Sequence, residues 1–135
     1  MLAYKKKEIL KNAREGNARA QLEAALSYIW GKNGFPVNER QARIWYKKAS
    51  LSGNPEAMFN LGTMYLNGEG GVTDVATGIK WLKTSAASKK KHIYRAVAPQ
   101  LLSEIYRCGL HGISVDSNEA AHWKTIAEKR KEKSG

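Results

Sequence analysis

Apolar residues recur at helical spacing along the chain, in stretches separated by glycine, asparagine and aspartate. The clearest stretch has apolar side chains at positions i, i+4, i+7 and i+8, which are Ala57, Leu61, Met64 and Tyr65. This spacing places them on one face of a helix. Asn54 precedes the stretch as a favoured N-cap, Pro55 suits the first helical position, and Gly68 can end the helix in the left-handed conformation.

A second helix is predicted directly after the first. Gly70 and Gly71 supply the turn, and Asp74 can cap the new helix. Its apolar positions are Ile79, Trp81, Leu82 and Ala86. The two stretches together predict a helical hairpin.

The same arrangement occurs three times. Three tyrosines, each with alanine eight residues before it and glycine three residues after it, mark the first helices: Tyr28, Tyr65 and Tyr106. Three tryptophans with small residues three before and four after mark the second helices: Trp45, Trp81 and Trp123. The tyrosine spacings of 37 and 41 residues suit two helices and two turns. The longer second spacing indicates an insertion at 88–92.

The small residues let helices approach closely, and the tyrosines and tryptophans fill the remaining space. One helix pair cannot bury its apolar face alone, whereas three stacked pairs can. We therefore predict an all-α fold, an α/α superhelical solenoid of three helix-pair repeats plus an N-terminal capping helix. The predicted single domain divides into a capping helix at 1–16, repeats at 17–53, 54–90 and 91–130, and a frayed basic tail at 131–135.

Local signals support the ends of this array. The capping helix has no tryptophan, and its apolar positions are Leu2, Ile9, Leu10 and Ala13. Asp116 and Glu119 form a predicted capping box before the last helix, and Asn38 and Gln41 stand in the same relation in the first repeat.

The second repeat resembles the Sel1-like repeat family, a relative of the tetratricopeptide repeats. The resemblance is carried by Ala57, Leu61, Gly62, Tyr65, Gly68, Gly70, Gly71, Trp81 and Ala86, with matching positions in the other two repeats. It implies right-handed stacking and a concave groove lined by the first helix of each pair. It also implies roles as adaptors and scaffolds, and some bacterial members resemble immunity proteins that neutralise toxic effectors. Departures are Ala24-Ala25 for the usual Leu-Gly and Gly78 for the usual alanine.

Composition narrows the function. The 135 residues suit one domain, and no window approaches 18 uninterrupted apolar residues, so no transmembrane helix is expected. Neither a signal peptide nor an internal disulfide is predicted, since Cys108 is the one cysteine. The compartment is unknown: the cytoplasm is favoured, and the periplasm is open if a signal peptide was removed. The net charge of +11 favours an acidic partner.

Candidate catalytic chemistry is sparse. The glycine turn at 68–71 follows a predicted helix rather than a strand, which disfavours a phosphate loop. Cys108, His111 and His122 lack a fourth ligand at a zinc-binding spacing. Glu104 is expected to pair on the surface with Arg107 or Arg95. We therefore predict a protein that is not an enzyme and needs no cofactor or metal.

The candidate partner-binding residues are aromatic and charged side chains expected on first helices or in the insertion: Arg19, Glu23, Trp30, Phe59, Asn60, Lys89, Lys90, Lys91, Tyr94, Arg95 and Arg107. Aromatic residues and arginine often carry protein–protein binding energy. Trp30 stands outside the repeated tryptophan position, and its alternative is core packing against the Phe35-Pro36 turn.

These observations predict a non-catalytic module that binds an acidic protein partner, as a monomer or weak oligomer. Its most concrete form is a bacterial immunity protein for a secreted toxin or effector, or an adaptor. The alternative is binding of nucleic acid or anionic membrane through the lysine clusters.

Overall fold

The computed structural model describes residues 2–134, which form seven α-helices and no strand. The helices are α1 (Leu2–Arg14), α2 (Ala18–Trp30), α3 (Glu39–Leu51), α4 (Pro55–Asn67), α5 (Val75–Ala87), α6 (Val97–Cys108) and α7 (Ser117–Ser134). A short 3-10 turn, Leu110–Gly112, lies between the last two. The prediction of an all-helical solenoid is confirmed.

Side-chain caps decide where most helices begin. Asn17, Asn38, Asn54 and Asp74 each accept a hydrogen bond from the backbone N–H three residues on, at 2.8–3.1 Å. These bonds satisfy N–H groups that have no partner within the helix. Helix α6 lacks such a cap, because its N-cap residue is Ala96, whose side chain has no acceptor.

The capping box predicted for α7 forms only in part. Asp116 accepts from the backbone N–H of Glu119 at 3.1 Å, as expected of an N-cap. The Glu119 carboxylate does not return to the backbone of Asp116. Instead it accepts from Trp123 Nε1 at 2.9 Å and lies 3.8 Å from Lys83 Nζ. The reciprocal half of the prediction was therefore wrong, because the Asp116 N–H already donates to the Tyr106 carbonyl at 2.9 Å.

Consecutive helices stack into the solenoid. Helices α2 and α3, α4 and α5, and α6 and α7 form the three hairpins, and α1 packs on α2. Two apolar clusters share the core, one from α1 to α4 and one from α4 to α7. Trp45 and Trp123 are buried as predicted, while Trp81 is partly exposed. Among residues 2–134, no helix is long and apolar enough to cross a membrane.

Helices α4 and α5 touch through two glycines. A Cβ added to Gly78 would lie 2.8 Å from the Gly62 carbonyl oxygen, and a Cβ added to Gly62 would lie 3.0 Å from the Gly78 carbonyl oxygen. In the third repeat the equivalent positions are Ser103 and Ala120, and the serine hydroxyl donates to the alanine carbonyl at 2.9 Å. The absence of a side chain at Gly78 thus allows a closer helix contact than alanine would.

Arg43 joins the first repeat to the second. This residue of α3 is 8% exposed, and its guanidinium donates to the Val72 carbonyl at 2.7 Å. It also lies 3.9 Å from the ring centroid of Tyr65, within cation–π range. The turn at 68–72 is therefore folded around an arginine side chain from the preceding repeat.

The two ends of the array differ in detail from prediction. In α1, Ile9 and Ala13 are buried, but Leu2 is 61% exposed, so its assignment to the apolar face was wrong. The segment predicted to fray continues α7 to Ser134, consistent with the helix propensity of its alternating lysine and glutamate residues. Met1 and Gly135, which begin the predicted capping helix and end the predicted tail, lie outside the described residues.

Candidate functional site

An open groove runs between the first helices α2 and α4. We call it the aromatic groove, and its lining residues are Leu26, Ile29, Trp30, Tyr46, Asn60, Thr63, Met64, Glu69 and Tyr94. Three of the predicted binding residues, Trp30, Asn60 and Tyr94, thus share one surface. Leu26 was missed, although its position seven residues after Arg19 and four before Trp30 could have placed it on the same helix face.

Trp30 presents its side chain to solvent. It is 72% exposed, so the alternative of core packing against the Phe35-Pro36 turn was wrong. Phe35 is buried instead against Tyr28, with ring centroids 4.8 Å apart in an edge-to-face arrangement. The turn is therefore filled without Trp30, which leaves a large indole in contact with water at the rim of the groove.

Tyr94 closes the other side of the groove. Its ring stacks on Phe59 of α4, with centroids 4.0 Å apart and planes 15° from parallel. Phe59 also packs against the second apolar cluster. The connection between α5 and α6 is thus anchored on α4, and Tyr94 has a fixed position in the groove.

Tyr46 lies at the floor of the groove and is buried to 3% exposure. Burial raises the pKa of its phenol well above the ordinary value, and the neighbouring Tyr94 hydroxyl and Glu69 carboxylate raise it further. The phenol is therefore neutral at physiological pH and can donate a hydrogen bond to a bound group. Glu69 is the charged residue of the groove lining.

A second concave surface lies at the amino-terminal ends of the same two helices. This basic cleft is lined by residues of α2, of the α3–α4 connection, of α4 and of the insertion: Ala18, Arg19, Ser52, Gly53, Asn54, Pro55, Glu56, Lys90, Lys91 and His92. Lys90 is held there, because its Nζ donates to the Gly53 carbonyl at 3.2 Å. The fold thereby brings Arg19 together with lysines 71 and 72 residues away in sequence.

His92 lies partly buried between the basic cleft and α7. Burial lowers the pKa of His92 below its usual value, Glu56 offsets part of this effect, and the guanidinium groups of Arg130 and Arg95 lower the pKa further. Arg130 also donates to the Arg95 carbonyl at 2.9 Å, which ties the insertion to the last helix.

This lowered pKa predicts a stability change near neutral pH. Below about pH 6.5, His92 becomes protonated in the unfolded chain while it is still neutral in the folded protein. The free energy of unfolding should therefore fall as the pH drops, until His92 is protonated in the folded protein as well. Urea unfolding between pH 8 and pH 5.5 measures this fall, and His92→Gln should reduce it. His122→Gln changes an exposed histidine and serves as the control; an equal reduction in both variants would contradict the assignment.

The remaining predicted residues lie elsewhere. Glu23 is partly buried on α2 between Arg19 and Leu26, and Lys89 is exposed beside the basic cleft. Arg107 lines a separate hollow between α6 and α7 that also contains Glu104. The expected surface ion pair of Glu104 is wrong, because within residues 2–134 the one ion pair joins Lys83 to Glu119.

The two concave surfaces are lined mainly by aromatic, apolar and basic side chains. Across the described part of the chain, no cluster of histidine, cysteine, aspartate and glutamate could hold a metal ion. Arg43 lies against the glycine turn at 68–71, 2.3 Å from where a Gly71 Cβ would stand. Most of the 23 basic residues have no carboxylate partner within residues 2–134, since a single ion pair is formed there.

The sequence of this solenoid matches a known repeat family. The Sel1 repeat family pattern matches three segments, residues 18–54, 55–89 and 100–127, which together make up most of the chain. The chain belongs to the Sel1 repeat family. Sel1 repeats are non-catalytic protein-interaction modules. Residues 90–99 lie between the second and third matched segments, and they include Lys90, Lys91, His92 and Tyr94.

Two solved Sel1-type structures are similar to the whole solenoid. A Sel1 repeat protein from Oxalobacter formigenes superposes with a TM-score of 0.78 at 26% identity, over 93% of this chain and 49% of that one. The c5321 protein, a protective antigen present in uropathogenic Escherichia coli strains, has a TM-score of 0.62 at 26% identity, over 93% and 33%.

Curated relatives match over shorter stretches. Chitin synthase regulatory factor 2 of Schizosaccharomyces pombe is 34% identical over 86 residues, which is 60% of this chain and 16% of that protein. HRD3A of Arabidopsis thaliana, a component of an ERAD-associated E3 ubiquitin-protein ligase, is 36% identical over 58 residues, or 43% and 9%. The chain thus spans a small part of the length of these Sel1 relatives.

Proposed function

We propose that this Sel1 repeat protein is a non-catalytic binding module that docks an acidic protein partner on the layer formed by its first helices. The observation that carries the proposal is the exposed Trp30 at the rim of the aromatic groove. A large exposed aromatic in a groove with Leu26 and Ile29 is the type of surface that anchors protein interfaces. The net charge of +11 adds electrostatic steering toward an acidic partner.

The most concrete form of this proposal is a bacterial immunity protein for a secreted toxin or effector, or an adaptor. The family supports the adaptor role, because its relatives include a regulatory factor and a ubiquitin-ligase component. Fast, charge-steered association suits a small protein that must intercept an effector. We further propose that binding to nucleic acid or membrane is secondary, since the groove interleaves aromatic residues with Leu26, Ile29 and Glu69 rather than with lysines.

Affinity purification with mass spectrometry tests the proposal. The wild-type chain should capture an acidic protein, and Trp30→Ala should reduce the capture roughly tenfold or more, as expected of an interface hot spot. Tyr4→Ala is the matched control, because Tyr4 is 71% exposed on α1 and lies outside the groove. Equal capture by all three proteins, or capture of nucleic acid alone, would refute the proposed role of the groove.

A further inference from the structure

The aromatic groove and the basic cleft lie on the same helix faces. On α2, Arg19, Glu23, Leu26 and Trp30 follow one another at spacings of four, three and four residues, which is a single stripe along the helix. On α4, Glu56 of the cleft and Asn60 and Thr63 of the groove continue in the same way. The two surfaces therefore lie at the two ends of the same α2 and α4 faces, and we call this stretch the channel.

The connection between α5 and α6 forms part of the channel at both ends. Lys90 and Lys91 line the basic cleft, and Tyr94 lines the aromatic groove three residues later. Both positions are fixed, since Lys90 bonds to the Gly53 carbonyl and Tyr94 stacks on Phe59. These residues fall in the stretch 90–99 that the Sel1 repeat pattern does not match, so this part of the channel lies outside the matched repeats.

The charges of the channel are unequal at its two ends. The basic cleft holds three cations, from Arg19, Lys90 and Lys91, against the single carboxylate of Glu56. The positive ends of the α2 and α4 dipoles add to this field. At the other end the groove is apolar and aromatic, and its charged residue is Glu69. An acidic group therefore fits the cleft end, and a large apolar side chain fits the groove end.

Helix geometry sets the distance between the two ends. Arg19 and Trp30 are eleven residues apart on α2, which corresponds to about 16 Å at 1.5 Å per residue. An extended peptide advances about 3.3 Å per residue. About five residues of an extended segment would therefore connect a carboxylate in the cleft to an apolar side chain beside Trp30.

We infer that the channel recognises one linear segment of the partner, with acidic residues about five positions from a large apolar residue. This inference rests on the proposed function and specifies which part of the partner the first-helix layer binds. The carboxylates pair with Arg19, Lys90 and Lys91 in the cleft. The apolar side chain packs against Trp30, Leu26 and Tyr94 in the groove, where the neutral phenol of Tyr46 can donate a hydrogen bond to the peptide backbone.

The test is selection of random twelve-residue peptides displayed on phage against the full chain. Selected peptides should share acidic residues about five positions from an aromatic or large aliphatic residue. The Lys90→Glu/Lys91→Glu variant should weaken binding of a selected peptide roughly tenfold or more, as expected when partner charges are reversed. Trp30→Ala should remove the preference for the apolar residue and keep the preference for acidic ones.

Lys5→Glu/Lys7→Glu is the matched control, because it lowers the net charge by the same amount on exposed residues of α1. It should change peptide affinity less than about twofold, since charges distant from an interface are screened. Selection of peptides without acidic residues, no dependence on spacing, or no binders at all would overturn the inference. The inference would also be overturned if no peptide binds and a single-stranded oligonucleotide binds in a way that depends on Lys90 and Lys91. A protein partner still captured through Trp30 would leave the proposed function intact.

Discussion

Replacing Leu61 with alanine should lower the free energy of unfolding by about 2–5 kcal/mol. Leu61 lies in the middle of the central repeat and has no exposed surface. Truncation removes apolar contacts and leaves a cavity that the neighbouring helices cannot close without moving. Urea unfolding followed by circular dichroism measures the loss.

Leu51→Ala is the control for this prediction. Leu51 ends α3 and is 69% exposed, so the same truncation there should change stability by no more than about 0.5 kcal/mol. A Leu61 variant as stable as the Leu51 variant would mean that the central helices are not packed as described.

Replacing Gly78 with leucine should destabilise the protein by about 3 kcal/mol, and replacing it with alanine by about 1 kcal/mol. Alanine is the better helix former by about 1 kcal/mol. The geometry opposes that gain, because a Cβ on Gly78 would lie 2.8 Å from the Gly62 carbonyl oxygen and 3.0 Å from the Leu66 side chain. Helices α4 and α5 would have to separate.

The exposed face of the same helix provides the comparison. Ala76→Leu adds a similar side chain to α5 where it meets solvent, and it should leave stability within about 0.5 kcal/mol of wild type. Thermal unfolding of the three variants ranks them directly. If Gly78→Ala proves more stable than wild type, helix propensity outweighs the close contact and the packing argument is wrong.

The fold could be predicted from the sequence because the same pattern of small and aromatic residues occurs in all three repeats. Glycine marks the helix ends with a defined backbone state: Gly31, Gly68 and Gly109 adopt φ values of +64°, +71° and +68°, a region that favours glycine. Asparagine and aspartate caps mark the helix starts. These signals are local, so each can be read without knowing the tertiary structure.

The candidate site was only partly accessible. Trp30 and Asn60 were predicted on first helices, and these helices line the groove. Tyr94 was also expected on a first helix, but it precedes α6, which begins at Val97. Its place in the groove depends on the path of the α5–α6 connection, which has no helical periodicity. The proximity of Arg19 to Lys90 and Lys91 could not be predicted for the same reason. It depends on the α5–α6 connection, which turns back toward α2. The Glu119 bond to Trp123 was missed because the Asp116 N–H, the expected partner of Glu119, donates to the Tyr106 carbonyl instead.

The placement of Arg43 couples the repeats to one another. If the helices of the second repeat opened alone, the guanidinium would lose its bond to the Val72 carbonyl and its contact with the Tyr65 ring. These contacts belong to the interface term between the two units, so they favour opening of both units together over opening of the second alone. Most residues of the channel come from these two units, so the same contacts help to hold its shape.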